Sequence, residues 1–424
     1  MISSSKEANT YNNSPKIKKW IILFSFCLNS ISSVFLFNAF SPIWSQVAIY
    51  YRTDDYNLNW FSNCYFLLPI VLTLVLNPII LKYYGGSQII SCITTSLGLW
   101  IIYIAQRNYN IGLLGFIFIG LGQSLYFHVP LHLSKLWFEP DERIVSTFIG
   151  QYSSNFGLLL GYLVSAIYFY NETDQKQFNK RFPNIIFFNA ILSTMSIPLS
   201  IITLQKPNDM KNKILQRDSI WKSIKIVCSK QESLFDILAV STFIGYGWCY
   251  PTLFSVQQLM IGQNSLDIII NSINFQIGQI VAAFFSTYKL QKQARQGLQL
   301  GYDKLIKQII GSGFLFLVIE ILVFENLPYF ILVGSNFVIG AGLGGLYSVL
   351  LESLMEKHYP VQELAISSLL EIGACAFALV ITMILVIPEF LQFGFQIYSF
   401  IMILPFCYIF IFYTTKFKRF EYEG

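Results

Sequence analysis

The stretch WFEPDERIVSTFIGQYSSNFGLLLG, Trp137 to Gly161, decides the fold. Its opening is a charged turn with Trp137, Glu139, Pro140, Asp141, Glu142 and Arg143. Charge and Pro belong at a membrane surface, where water solvates a broken backbone. The run then turns apolar and carries Gly157 and Gly161 four residues apart, with Asn155 as an amide in the same region. Small residues at that spacing let two membrane helices approach closely. The segment therefore reads as a surface hinge leading into a tightly packed membrane helix with one polar group turned inward.

The rest of the chain fits this reading. Of 424 residues, 54% are hydrophobic, 17% aromatic and only 12% charged; the mean hydropathy is +0.55. Soluble domains carry about 25% charged residues, so this chain has too little polar surface to cover a globule. The net charge of +5 is too small to indicate a nucleic-acid partner. Six of the seven Cys lie in apolar runs and Cys228 lies in a charged loop, with no CxxC pair. Neither a disulfide framework nor a zinc site is indicated. The first apolar run is too long for a cleavable signal core.

A bilayer core takes about 20 apolar residues as helix. Twelve runs qualify, at 18–42, 60–82, 88–106, 111–134, 144–170, 184–204, 235–261, 268–290, 306–324, 328–351, 362–387 and 390–413. The polar stretch 205–234 divides them six and six and carries Lys206, Lys211, Lys213, Arg217, Lys222, Lys225 and Lys230 against three acids. A lipid-binding or regulatory loop is one reading; a cytosolic connector obeying the positive-inside rule is the plainer one. The expected organisation is a cytosolic tail 1–17, a six-helix bundle 18–204, the linker 205–234, a second bundle 235–413 and a cytosolic tail 414–424. With the N-terminus inside, five of the 28 Lys and Arg fall outside: Arg52, Arg107, Lys176, Lys180 and Arg181. An even helix count keeps Lys416, Lys418 and Arg419 inside. Asn171-Glu172-Thr173 is a glycosylation sequon in the expected outer loop between helices five and six.

Six plus six helices with a basic central loop is the major-facilitator architecture, an all-α membrane fold with its site between two halves at mid-depth. The halves correspond locally. The acidic, Pro-containing hinge at 137–142 follows helix four, and Glu356-Lys-His-Tyr-Pro-Val-Gln-Glu363 follows helix ten. The superfamily's Gly-rich inner-loop motif after helix two is poor here, with Lys82 where an Asp is expected. The inward gate is expected to latch differently, through the Glu139–Arg143 hinge that includes Glu142.

At this point the chain resembles the feline leukaemia virus subgroup C receptor-related transporters. Trp137-Phe138-x-Pro140-x-Glu142 with Gly157 and Gly161 resembles the family's hinge and fifth helix. Phe35-x-Phe37, then Trp60-x-Ser62 and Tyr65, resembles its first two helices. Tyr250 with Gln258 resembles the seventh, and Glu352-x-x-x-Glu356-x-x-Tyr359-Pro360 with Ser368-Leu369-Leu370 the tenth to eleventh turn. The resemblance implies facilitated diffusion of choline and ethanolamine, with haem export as an alternative. It also implies an aromatic cage of a helix-one Trp and a helix-seven Tyr, with a helix-five Gln on the substrate hydroxyl. These fall on Phe37, Tyr250 and Asn155, and a further helix-eleven Gln falls on Cys375. Phe is a weaker cation–π partner than Trp, Asn is one methylene shorter than Gln, and Cys lacks the amide. The cage is therefore altered.

Ionisable groups at membrane depth are functional suspects by default. Glu371, one helical turn before Cys375, is a candidate carboxylate for a cationic substrate or a proton. The plain alternative places it nearer the surface or pairs it with a neighbour. Glu352 and Glu356 read as gate residues, paired to Arg143 or Lys357, rather than substrate contacts. His128 and His132 stand at i and i+4 around Pro130, a spacing that also suits a metal or haem iron. Pro130 distorts the turn and no third ligand is visible, so a cavity-lining pair is expected and no metal site. Gln123, Gln151 and Gln279 are further possible cavity groups. Trp248 faces either the same cavity or lipid. Gly340 to Gly345 form a close-packing face or a hinge.

The expected function is alternating-access transport of a small organic cation such as choline or ethanolamine, by a monomer in the bilayer without a cofactor. The alternatives are a haem or porphyrin exporter and a non-transporting membrane component with a degenerate cavity. No nucleophile–base pair or phosphate loop points to an enzyme. The plasma membrane is expected, with an endomembrane or mitochondrial membrane as alternatives.

Overall fold

The computed structural model describes residues 16–139, 142–169, 174–204, 219–260, 265–296, 301–323, 328–359, 361–384 and 394–414. Asn171, Asp141, Pro140, most of both tails and residues 205–218 of the linker lie outside them.

Each of the twelve apolar runs carries helix among the described residues. The first half contains α1 (Lys16–Phe40), α2 (Trp44–Tyr51), α3 (Asp55–Leu58), α4 (Trp60–Lys82), α5 (Tyr84–Ala105), α6 (Tyr109–Gln123), α7 (Pro130–Trp137), α8 (Arg143–Phe169) and α9 (Gln175–Ser200). The linker contributes α10 (Ile220–Ser229). The second half contains α11 (Gln231–Met260), α12 (Ser265–Arg295), α13 (Tyr302–Val323), α14 (Tyr329–His358), α15 (Glu363–Ile384), α16 (Gly394–Ile401) and α17 (Ile403–Ile411). Among the described residues, eight spans are long and apolar enough to cross a membrane by length and composition.

Two segments depart from expectation. The run 111–134 is not one helix: α6 stops at Gln123, turns of the i→i−3 type follow through Val129, and Pro130 opens α7. Pro has no N–H to bond back into a helix and is tolerated at its first turn, so the break falls before it. The linker is also not all connector. In α10, Ile220, Ser223 and Val227 are buried while Trp221, Lys222 and Lys225 are exposed, and the helix packs on α15 and α11.

The two halves repeat one packing scheme. α1 packs on α8 as α11 packs on α15, and α4 on α6 as α12 on α14. α5 packs on α6 as α13 on α14, and α1 on α9 as α11 on α17. Small residues permit the closest of these contacts. A Cβ on Gly157 would come within 2.5 Å of Ile31 O, and one on Gly161 within 2.5 Å of Phe35 O. In the second half a Cβ on Gly340 would lie 2.2 Å from Phe275 O, and one on Gly344 2.4 Å from Gln279 Cα. The expected close-packing role of both Gly pairs holds.

The halves meet along two seams, α4 against α15 and α8 against α12. Each seam joins the second helix of one half to the fifth of the other, which is the signature of a pseudo-twofold axis between them. The seams are polar. Asn155 Nδ2 donates to Gln279 Oε1 at 2.5 Å, and Asn77 Nδ2 donates to Ser368 Oγ at 2.8 Å. Asn59 Nδ2 donates to Thr382 O at 2.8 Å and Thr382 Oγ1 donates to Asn63 Oδ1 at 2.8 Å. At the other end of that seam, the end bearing the linker, Lys135 pairs with Glu363.

Candidate functional site

Two adjoining cavities lie between the halves. The first is lined by His128, Gln151, Tyr347, Ser367 and Glu371 among apolar walls that include Phe127 and Ile244. The second shares Phe127, Gln151 and Tyr347 and adds Tyr126, Ser154, Asn155 and Trp248. The break between α6 and α7 positions Tyr126, Phe127 and His128 at these walls. An unbroken helix would have carried them along one continuous spiral.

Glu371 sits two turns into α15 and is 5% exposed. Its Oε1 accepts from Cys375 Sγ at 3.4 Å, the one hydrogen bond it makes among the described residues. No Lys or Arg neutralises it there. A buried carboxylate without a counter-ion is costly, and one that lines a cavity is ready for a cationic ligand. Phe127 and Tyr347 share its cavity, and both also line the adjoining one. There Trp248 meets Phe127 edge-on with centroids 5.3 Å apart and lies parallel to Phe66 at 6.4 Å. Phe66 in turn meets Phe37 at 5.6 Å.

The structure brings together Asn155, Cys375 and Glu371 near the cavities, with Phe37 one ring behind Trp248. It does not bring Tyr250 there. Tyr250 is fully buried within the second half, stacked on Phe275 at 4.7 Å, and its hydroxyl donates to Glu320 Oε2 at 2.6 Å. Trp248, two residues earlier on the same helix, lines the second cavity. Residues two apart on a helix point about 200° away from each other, so only one of the pair can face the cavity. Gln258 is buried two turns beyond Tyr250 and lines neither cavity.

The histidines separate. His128 Nε2 lies 2.9 Å from Asn77 Oδ1, whereas His132 packs edge-on against Tyr84 at 6.1 Å. Expected as a cavity-lining pair, they part: of these two cavities, His128 lines the first and His132 lines neither.

The expected gate residues fall at the linker end. Glu142 pairs with Lys19 of α1, which also lies over the Phe138 ring at 5.6 Å. Arg143 Nε donates to Phe138 O at 3.3 Å, and Glu139 is exposed. Lys357, one partner expected for Glu352 and Glu356, instead reaches Asp236 at 2.6 Å and Glu232 at 2.9 Å. Each half thus ties its hinge to its own first helix with a Lys–carboxylate pair, and the charges are exchanged between halves.

Sequence reasoning missed Glu320, Phe127, Tyr347 and Tyr126. Glu320 carried a usable signal, since it is a carboxylate inside an apolar run. It is fully buried and accepts from Ser335 as well as Tyr250. The three aromatics carried none, because 17% of the whole chain is aromatic and most such side chains face neighbours or lipid.

Two bundles that repeat one packing scheme, with cavities between them, have the architecture of membrane transporters built from repeats. The sequence profile of the Major Facilitator Superfamily matches residues 22–374, and the chain belongs to that superfamily. It is similar to the choline/ethanolamine transporter flvcr2a of Danio rerio, 21% identical over 396 residues, covering 87% of this chain and 80% of that protein. It is likewise similar to flvcr2b of Danio rerio, another choline/ethanolamine transporter, 21% identical over 384 residues, with 86% and 77% covered. The fold matches the crystal structure of the human organic anion transporter MFSD10 with a TM-score of 0.63 at 13% identity, covering 93% of this chain and 99% of that one.

Proposed function

We propose that this transporter carries small organic cations of the choline and ethanolamine kind by alternating access. The observation that carries the reading is Glu371, a buried carboxylate bonded only to a thiol among the described residues and lining a cavity between the halves. A cationic amine neutralises it. Trp248, Phe127 and Tyr347 supply ring faces, where a desolvated cation–π contact contributes about 2 kcal/mol or more. Asn155 and Gln151 supply amides for a hydroxyl. The similarity to the two choline/ethanolamine transporters supports the same class.

Exchange of access follows from the α4–α15 seam. Opening the Lys135–Glu363 end while Asn59, Asn63 and Thr382 stay bonded exposes the cavity on one side, and the reverse exposes it on the other. The hinge pairs Lys19–Glu142 and Lys357–Asp236 keep each half rigid during the motion. We place the linker end at the cytosol on the positive-inside bias, with the protein acting as a monomer in the plasma membrane. The separated histidines lend no support to haem as the cargo.

Uptake of radiolabelled choline and ethanolamine into expressing cells tests the reading, beside a Glu371→Gln variant matched for surface level. Saturable uptake of either amine that collapses in the variant is expected. Uptake of both no greater than in empty cells would overturn it.

A further inference from the structure

We infer that the cavity is built for an ammonium that bears N–H hydrogens, and that His128 is the residue that selects it over a quaternary one. The inference rests on the organic-cation reading and sharpens it.

Asn77 Nδ2 donates to Ser368 Oγ at 2.8 Å across the halves, which leaves Oδ1 as the acceptor facing His128 Nε2 at 2.9 Å. His128 Nε2 must then carry the hydrogen. In a neutral imidazole the other nitrogen is a bare acceptor. That nitrogen, Nδ1, is buried without any hydrogen-bond partner, in a residue that is 4% exposed. The three residues lock the tautomer, because the Asn77 amide is oriented by its bond to α15.

On the same cavity Glu371 accepts from Cys375 alone among the described residues. Two residues with a buried acceptor, one charged and one neutral, therefore line one cavity. Buried acceptors are costly until a donor fills them. A quaternary ammonium neutralises Glu371 but has no N–H for either group. A primary ammonium carries three donors and satisfies both. Sites that hydrogen-bond a ligand N–H reject analogues lacking it far more strongly than apolar pockets reject an extra methyl. The cavity chemistry thus favours an ethanolamine-like head over a choline-like one.

The test is a methylation series on the full chain. Ethanolamine, N-methylethanolamine, N,N-dimethylethanolamine and choline each compete with labelled ethanolamine for uptake. Apparent affinity is expected to fall at each step, with choline at least about tenfold weaker than ethanolamine. In His128→Phe the ratio between the two ends is expected to shrink by about tenfold, because ethanolamine loses an acceptor that choline never used. A flat series, tighter competition by choline, or an unchanged ratio in His128→Phe would overturn the inference while leaving organic-cation transport intact. Transport of no member would overturn both. The wild-type series needs no variant to fold.

Discussion

Lys135 of α7 and Glu363 of α15 form an ion pair that ties the two halves together at the linker end of the α4–α15 seam. Both side chains are partly covered, at 24% and 12% exposure, so the pair is screened less than a surface pair and more than a core one. Glu363→Ala is expected to weaken the closed linker end by about 1–2 kcal/mol, between the surface and core values. Labelling of a reporter cysteine near Ser367 by an aqueous maleimide should rise several-fold. The double exchange Lys135→Glu with Glu363→Lys should bring labelling back toward the wild-type rate. Unchanged labelling in the single variant would remove the pair from the gate.

Trp248 and Tyr250 separate two accounts of the aromatic contact. Trp248 lines a cavity, while Tyr250 is stacked within the second half and bonded to Glu320. Trp248→Ala should raise the KM for amine uptake about tenfold or more. Tyr250→Phe should leave the KM within about twofold. It should lower the midpoint of thermal unfolding, because a buried carboxyl loses a partner at a cost of about 1–3 kcal/mol. The opposite pattern of KM values would restore the cage on Tyr250.

Gly161 is expected to tolerate no side chain. A Cβ there meets Phe35 O at 2.5 Å and Ala39 N at 2.9 Å, both backbone atoms that cannot swing away. Gly161→Ala should destabilise the α1–α8 contact by about 1–3 kcal/mol, the usual range for overpacking. A fall of several degrees in the melting temperature of detergent-purified protein checks this. Gly334, with nothing within 4 Å of its Cβ position, is the control and should melt near wild type as Ala.

These outcomes also mark what was legible before the structure. The helices were, because a run of about 20 apolar residues has few other fates. The Gly157–Gly161 contact was legible for a similar reason, since small residues four apart lie on one face. The break before Pro130 was legible only in part: the proline announces a disturbance, but the extent of the turns that follow Gln123 is not set by the proline alone. Glu371 could be read as a buried carboxylate. That no counter-ion meets it among the described residues could not, because that depends on which partners the cations find elsewhere, such as Lys135 with Glu363 across the halves and Lys357 with Asp236 within the second half. The choice between Trp248 and Tyr250 depends on the rotation of α11, and hydrophobicity is blind to rotation when both faces of a helix are buried.

The central claim is that Glu371 is the counter-ion of a bound ammonium. Titration of the purified full chain with ethanolamine, followed by calorimetry, tests it most directly, with Glu371→Gln and Glu371→Asp beside it. One site per chain is expected in the wild type, weakened at least about 30-fold in Glu371→Gln, as for loss of one partner of a buried charge pair. Glu371→Asp should fall between the two. Equal binding by wild type and Glu371→Gln, with both proteins melting alike, would contradict the account.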